Sequence, residues 1–242
     1  MPTHEARMRP IGILVTGEPI AETRHARGGF DALIRGATGA AWSGAWEVID
    51  CTSEPLPSSE RFAAFIVTGS PASVTERRPW MLALERWLRA AVRADCPVLG
   101  ICFGHQILAQ ALGGRVEHNP TGREFGTVQL ELLADDPLLG SPSASPFPVN
   151  MAHQDSVVEV PSGTRVLART LQEPRAAIRW GPRAWGVQFH PEFDAEVTRY
   201  HIRHTRASLA REGADPERLD REVGDAVNGR AVLVRFVASI GR

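Results

Sequence analysis

One cysteine of the sequence stands where a nucleophile would be exposed. Cys102 lies between Gly100 and Gly104 in the segment GICFG, which follows a short apolar run and precedes a helical one. This order is typical of a nucleophile elbow, whose tight turn leaves no room for side chains at the two flanking positions. A helix N-terminus also favours a thiolate over a thiol. The pattern predicts that Cys102 is a catalytic nucleophile and that the backbone amide of Phe103 points toward an oxyanion.

A cysteine nucleophile needs a general base, and the segment WGVQFHPE supplies a candidate at the end of an apolar strand. His190 and Glu192 are two residues apart, and the proline between them favours an extended turn that places both side chains on one side. Glu192 would accept a hydrogen bond from one imidazole nitrogen while the other nitrogen faces the thiol. We therefore predict a triad of Cys102, His190 and Glu192. Because the chain has eight histidines, a purely structural role for His190 is the alternative.

The sequence around the other cysteines and histidines indicates catalysis or metal binding less clearly. Free cysteines are usually buried structural residues, and this is the interpretation we give to Cys51 and Cys96. A metal site would have to draw on His105, His153, His190 and Glu192. The sequence has no compact helical ligand pair such as HExxH, so we predict no metal. All the positive side chains are arginines, which excludes chemistry that depends on lysine.

The elements that must position these residues alternate between strand and helix patterns before residue 115. Apolar runs predict strands at 11–16, 46–51, 62–68 and 97–101, and helical spacing predicts helices at 21–38, 79–94 and 105–112. This alternation indicates an α/β fold with a parallel sheet and helices on both of its faces. Open sheets of this kind bind ligands at the carboxyl ends of their strands, where the predicted elbow lies.

The pattern changes after residue 115. Short alternating runs at 126–133, 156–160, 164–170, 176–180 and 184–189 predict antiparallel hairpins that form a small β extension of the sheet. The segment 135–148, with its four prolines and three serines, is predicted to be a surface loop. Helices are expected at 194–212, from Pro216, and at 227–240. We predict a catalytic domain over 10–195 and a helical extension over 196–242 that packs on the same domain.

The composition restricts the class of protein. The 242 residues, 43% of them hydrophobic, suffice for the core of one domain. A formal net charge of -1 gives no broad basic field for nucleic acid and no polybasic patch for a membrane. Three cysteines suit a reducing compartment. The apolar run near the N-terminus is too short for a signal peptide or a membrane span, so we expect a cytoplasmic protein.

Four segments of the sequence resemble the class I glutamine amidotransferase family. They are VTGSPASV (67–74), VLGICFGHQILAQALGG (98–114), HQDSV (153–157) and GVQFHPEF (186–193), and they follow the family's order. The resemblance extends over residues 10 to 195. It implies a flavodoxin-like α/β domain whose Cys-His-Glu triad is Cys102, His190 and Glu192. It also implies an oxyanion hole formed by the backbone amides of Ser70 and Phe103, although the family usually has glycine where Ser70 stands.

The same resemblance implies a set of substrate-binding residues. Gln106 matches the position whose side chain helps to hold glutamine. The loop of His153, Gln154 and Asp155 matches a stretch that lines the same pocket, and Gly69 belongs to the loop of the oxyanion hole. For His153 and Asp155, hydrogen bonding within the loop is an alternative to direct contact with the ligand.

The implied reaction is hydrolysis of the γ-carboxamide of glutamine through a γ-glutamyl thioester on Cys102, without a cofactor. His190 would protonate the departing ammonia and then activate water. Three hypotheses stay open. The first is a glutaminase that supplies ammonia to a separate synthetase subunit, and the second is a freestanding γ-glutamyl hydrolase or peptidase that acts on γ-glutamyl conjugates. The third is a non-catalytic regulatory or binding module with this fold, against which the intact triad argues.

Overall fold

The structure, a computed structural model, describes residues 9–240. Its main element is a nine-stranded mixed sheet. In spatial order the strands are β2 (Trp46–Asp50), β1 (Ile11–Val15), β3 (Ala64–Val67), β4 (Val98–Ile101), β11 (Ala184–Val187), β10 (Ala177–Trp180), β9 (Arg165–Arg169), β6 (Glu124–Leu132) and β7 (Phe147–His153). A separate antiparallel pair consists of β5 (Arg115–His118) and β8 (Asp155–Glu159).

The α-helices of residues 9–240 lie in two groups along the chain. Those before residue 115 are α1 (Ala21–Arg27), α2 (Phe30–Thr38), α3 (Pro79–Arg93) and α4 (Phe103–Ala111). Those after residue 190 are α5 (Ala195–Arg211), α6 (Pro216–Glu222) and α7 (Val227–Ile240). Within this described part of the chain, every helix is too short or too polar to cross a membrane.

The first five strands of the sheet, in the order β2-β1-β3-β4-β11, are all parallel to their neighbours. This is the strand order of flavodoxin-like folds, and it confirms the predicted α/β class. β3 and β4 are buried at every residue, as expected for strands covered by helices on both faces. The carboxyl ends of β1, β3, β4 and β11 therefore come together at one edge.

The remaining strands of the sheet extend it in antiparallel fashion, as predicted, but the run at 156–160 forms β8, which pairs with β5 in the separate sheet instead. The run at 184–189 corresponds to β11, which pairs antiparallel with β10 on one edge. On its other edge, however, β11 is parallel to β4. The predicted antiparallel hairpin is present, and β11 in addition joins the antiparallel extension to the parallel half. It thereby carries its carboxyl end to the edge where β4 ends.

The prediction of a surface loop at 135–148 is wrong in two respects. Leu138 and Leu139 are buried in the core rather than exposed, and their backbone amides lie within 3.4 Å of the Asp136 carboxylate. In addition, β7 begins at Phe147 and includes Pro148. Proline is tolerated there because β7 is the edge strand of the sheet and one of its sides needs no ladder hydrogen bond.

The helices after residue 190 pack against the rest of the molecule. α7 lies against β7 and α2, while α5 contacts β6, β7 and α1. α5 begins directly after Asp194, whose carboxylate accepts a hydrogen bond from the Val197 amide at 2.9 Å. This cap places the first turn of α5 immediately after the segment that follows β11.

Candidate active site

The turn between β4 and α4 has the geometry of a nucleophile elbow. Cys102 has a φ of 50°, a left-handed conformation that costs a side-chain-bearing residue free energy. A Cβ atom on Gly100 would lie 2.3 Å from the carbonyl oxygen of Gly104. A Cβ atom on Gly104 would lie 2.3 Å from the carbonyl oxygen of Val67 in β3. Only glycine fits at either position, so the two glycines permit the turn that lifts Cys102 above the sheet.

The thiol of Cys102 is buried but opens on a cleft at this edge. Its backbone amide donates to the Val187 carbonyl at 2.8 Å, which fixes the elbow to the end of β11. The Gln188 side-chain nitrogen lies 3.5 Å from Sγ, and the Ala152 carbonyl lies 3.9 Å from it. Strands from both halves of the sheet therefore hold the candidate nucleophile.

His190 and Glu192 form a buried pair beside this thiol. Nδ1 of His190 is 2.8 Å from Oε1 of Glu192, and the His190 backbone amide donates to the Asn150 carbonyl at 2.8 Å. Burial by itself would lower the pKa of His190, but the charges of Glu192 and Cys102 outweigh it and raise that pKa to about 10. The imidazole is thus protonated at neutral pH and can stabilise a thiolate on Cys102.

The face of the His190 ring packs against Phe193. The two ring centroids are 4.0 Å apart and their planes differ by 10°. Phe193 is itself buried and stacks on Phe30 at 6.4 Å. Because an aromatic face attracts a cation, Phe193 stabilises the imidazolium form and holds the plane of the ring.

Replacing Phe193 by leucine is expected to lower kcat/KM for the reaction at Cys102 by about tenfold, since a desolvated cation–π contact contributes about 1–2 kcal/mol. The alkaline limb of the pH–rate profile should move to lower pH, because the pKa of His190 falls. The measurement is kcat/KM against pH, with thermal unfolding as the check of folding. Phe193→Tyr keeps the aromatic face and should retain most activity. An unshifted alkaline limb in Phe193→Leu would show that the ring only fills space.

The two amides expected to form an oxyanion hole line the same cleft as Cys102. Neither the Ser70 nor the Phe103 backbone amide donates to another group within residues 9–240. The Ser70 hydroxyl donates to the Thr16 carbonyl at 2.7 Å, which turns the side chain away from the cleft. Ser70 does not have a positive φ, so serine is accommodated where the family usually has glycine.

Gly69 contributes through its missing side chain. A Cβ atom there would lie 3.0 Å from Cε1 of His190 and 3.4 Å from the Phe30 ring. Gly69 therefore leaves space for the imidazole rather than lining the cleft.

The other predicted substrate-binding residues are connected by hydrogen bonds. The Gln106 amide donates to the Asp155 carbonyl at 2.8 Å and to Oε1 of Gln188 at 3.1 Å. The Asp155 carboxylate accepts from the Ser73 hydroxyl at 2.5 Å and lies 2.9 Å from Nδ1 of His118. These bonds fix the orientation of Gln106 and of the Asp155 loop at the cleft wall.

His153 uses both ring nitrogens inside the protein. Nδ1 is 3.0 Å from the Asp155 carbonyl, and Nε2 is 3.1 Å from the buried carboxylate of Glu124. Gln154, in contrast, is half-buried, and its side chain contacts His118. For His153 the geometry favours the alternative of hydrogen bonding within the structure, although the residue borders the cleft.

A cleft of about 550 Å³ collects most of the predicted site. The predicted residues that line it are Ser70, Cys102, Phe103, Gln106, His153, Gln154, Asp155 and His190. Glu192 lies behind His190 with no exposed side-chain surface, as an orienting carboxylate requires. The volume is in the range of small-molecule sites.

His105, one of the four residues considered for a metal site, is not part of this cleft. Its ring is fully buried, and a Cβ atom on Gly186 would lie 2.5 Å from its Nδ1. Burial lowers the pKa of His105 to about 3, so the ring is neutral. Across residues 9–240 no three histidine, cysteine, aspartate or glutamate side chains group together as metal ligands.

Sequence reasoning missed Gln188 and Phe193 as residues of the site. Gln188 is fully buried and joins Gln106 to the sulfur of Cys102. A polar residue in the otherwise apolar run WGVQF is a signal, since a buried amide needs hydrogen-bond partners. The role of Phe193 has no comparable signal, because it depends on the plane of the His190 ring.

The class I glutamine amidotransferase family model matches residues 45–206, about two thirds of the chain. This chain belongs to that family. A glutamine-hydrolyzing GMP synthase of Aeropyrum pernix is 39% identical over 159 residues, which are 65% of this chain and 27% of that protein. The chain thus spans about a quarter of the length of such relatives. A glutamine amidotransferase-like protein of Schizosaccharomyces pombe is 29% identical over 82% of this chain and 85% of its own length.

Solved structures of glutamine amidotransferases have the same fold as this family member. One from Methylobacillus flagellatus has a TM-score of 0.73 at 23% identity and covers 97% of this chain and 95% of its own. One from Thermotoga maritima has a TM-score of 0.72 at 20% identity and covers 95% of this chain and 98% of its own. The match therefore includes the helices that follow β11.

Proposed function

We propose that this glutamine amidotransferase hydrolyses the γ-carboxamide of glutamine with Cys102 as nucleophile, His190 as acid and base, and Glu192 as the orienting carboxylate. The observation that carries the proposal is the buried His190–Glu192 pair at 2.8 Å beside a cysteine held at positive φ. Membership of the family supports the same chemistry.

The geometry suggests a reaction in two halves. The Cys102 thiolate attacks the γ-carbon, and the amides of Ser70 and Phe103 stabilise the oxyanion. The imidazolium of His190 gives its proton to the departing nitrogen as the C–N bond breaks, which leaves a γ-glutamyl thioester and ammonia. Water then loses a proton to His190 and attacks the thioester, and the C–S bond breaks to release glutamate.

The direct test is the release of glutamate from glutamine by the purified chain. We expect turnover without any added metal or cofactor, with equimolar formation of ammonia. No release of glutamate at saturating glutamine would contradict a self-sufficient glutaminase.

We further propose that a separate synthetase subunit receives the ammonia. Support comes from the relatives described as glutamine-hydrolyzing GMP synthases. The expected result is that a synthetase co-purifies with the tagged chain from its native cells. The proposal would be contradicted if the chain hydrolyses glutamine at full rate and no synthetase co-purifies with it.

Changing Glu192 to glutamine is expected to lower kcat/KM by about 10²–10⁴-fold, because the His190 ring loses the carboxylate that fixes its tautomer. The pKa of His190, held at about 10 partly by Glu192, should fall toward its ordinary value near 6.5. Activity needs the protonated ring and is lost as pH rises through this pKa. The alkaline limb of kcat/KM should therefore move to lower pH in Glu192→Gln.

The matched control for this change is Glu196→Gln. Glu196 is exposed, binds Arg27 and Tyr200, and does not line the cleft. Its substitution should leave both kcat/KM and the pH profile unchanged. Equal effects of the two changes would contradict a special role for Glu192.

A further inference from the structure

One wall of the cleft comes from α5 and contains none of the predicted site residues. His201, His204, Thr205 and Ser208 all line the cleft. They are spaced at i, i+3, i+4 and i+7, so they form one face of the helix. We call this face the α5 wall. None of the four residues is needed for the reaction proposed above.

The α5 wall lies on the side of the cleft where His190 stands. Phe193 stacks on His190 at 4.0 Å, and its ring centroid is 4.7 Å from that of His201. Phe193 thus links His190, the proposed general acid, to the α5 wall. The backbone amides of the proposed oxyanion hole, in contrast, lie at the ends of β3 and β4. Because His190 protonates the departing nitrogen, any substituent on that nitrogen extends toward this side.

Two polar groups on this side have unused hydrogen-bonding capacity. Nε2 of His201 is buried and has no hydrogen-bond partner among the described residues. Burial lowers the pKa of His201 to about 3, so the ring is neutral, with one nitrogen that donates and one that accepts. The Thr205 hydroxyl donates to the His201 carbonyl at 2.8 Å, which leaves its oxygen available as an acceptor.

The charged groups that line the cleft favour a cation over an anion. The Glu18 carboxylate lies at the cleft, half exposed and 3.7 Å from Arg24. The guanidinium of Arg123 is held by the Glu212 carboxylate at 3.0 Å and 3.2 Å. Glu76 and Asp155 also line the cleft, so three carboxylates face one guanidinium there and favour an ammonium group over a carboxylate on the leaving group.

We propose that the α5 wall binds the leaving group of a γ-glutamyl amine, so that the enzyme acts on amides of organic amines larger than ammonia. The inference rests on the proposed function, because it uses the same thioester chemistry at Cys102. The amide C–N bond breaks as the C–S bond forms, and the proton of His190 goes to the amine nitrogen. Water then cleaves the C–S bond, so the products are glutamate and the free amine.

The test compares four substrates with the full chain: glutamine, γ-glutamyl-butylamide, γ-glutamyl-(4-aminobutyl)amide and γ-glutamylglycine. We expect kcat/KM to be highest for the aminobutyl amide and lowest for γ-glutamylglycine. If glutamine is hydrolysed but neither alkylamide is, the inference is wrong while the proposed function stands. If no substrate is hydrolysed, the proposed function itself fails.

Variants then locate the leaving-group contact. His201→Ala should lower kcat/KM for the aminobutyl amide about tenfold more than for glutamine or the butylamide, because only the aminobutyl group has a distal donor, and the loss is that of one hydrogen bond of about 1.4 kcal/mol. His201→Gln keeps an acceptor and should restore part of the loss. Glu18→Gln should weaken only the preference for the aminobutyl amide over the butylamide.

His25→Ala is the matched control, since His25 is an exposed histidine on α1 that does not line the cleft. It should leave the ratios of kcat/KM unchanged. If His201→Ala lowers kcat/KM equally for glutamine and the aminobutyl amide, His201 has only a structural role and the inference is overturned.

Discussion

Replacement of Cys102 by alanine is expected to lower kcat/KM for glutamine hydrolysis by on the order of 10⁴-fold or more, because no thioester can form. The fold should survive the change, since alanine is smaller than cysteine and the φ of 50° is imposed by the surrounding backbone. The measurement is glutamate release under saturating and limiting glutamine, with thermal unfolding of both proteins as the check of folding.

The other two cysteines provide the controls. Burial raises the pKa of Cys51 to about 12 and that of Cys96 to about 11, so both remain thiols at neutral pH. Cys51→Ala and Cys96→Ala should retain catalytic activity, and only Cys102 should be alkylated rapidly by iodoacetamide. Activity of Cys102→Ala within tenfold of the unsubstituted protein would mean that another group is the nucleophile.

Substitution of Gly104 by alanine should destabilise the protein and abolish activity together. The added Cβ atom would lie 2.3 Å from the Val67 carbonyl oxygen, a backbone atom that cannot rotate away. Either β3 or the start of α4 must move, at a cost of about 3 kcal/mol. For a chain of this size that corresponds to a fall in Tm of about 6–12 °C. The displaced elbow also moves Cys102 relative to His190, so the residual folded protein should be inactive.

Gly36→Ala is the matched control for this change. Gly36 lies in α2, and nothing lies within 4 Å of the position that its Cβ would take. Alanine there should stabilise the protein by about 1 kcal/mol, because it favours the helix. A Gly104→Ala protein with an unchanged Tm and unchanged activity would contradict the steric account of the elbow.

The parallel half of the fold could be predicted from the sequence because its signals are local. The apolar runs that end at Thr16, Thr68 and Ile101 are bounded by glycine or proline or by the elbow, and each corresponds to a buried strand. The edge strand β7 could not be predicted, because its prolines and its neighbouring serines have the composition of a loop. Its pairing with β6 decides its structure, and that contact is not visible in a single segment.

The candidate site also has one part that could be predicted from the sequence and one part that could not. Cys102, His190 and Glu192 lie in short motifs whose spacing has a chemical meaning, and the structure brings all three together. Gln188 and the polar face of α5 act through contacts between distant segments. A buried amide in an apolar run marks Gln188 as unusual, but its partners and those of the α5 face depend on how β11 and α5 are placed in the fold, which no local pattern indicates.

The central claim is that Cys102 carries a γ-glutamyl group during turnover. The most direct measurement is to mix the protein with glutamine, quench with acid within the first turnovers, and locate the adduct by peptide mass spectrometry. The account predicts a γ-glutamyl adduct on the peptide that contains Cys102, which hydroxylamine removes as the hydroxamate and which is lost in Cys102→Ala. Rapid glutamate release with no adduct on Cys102, or with an adduct on another cysteine, would contradict it.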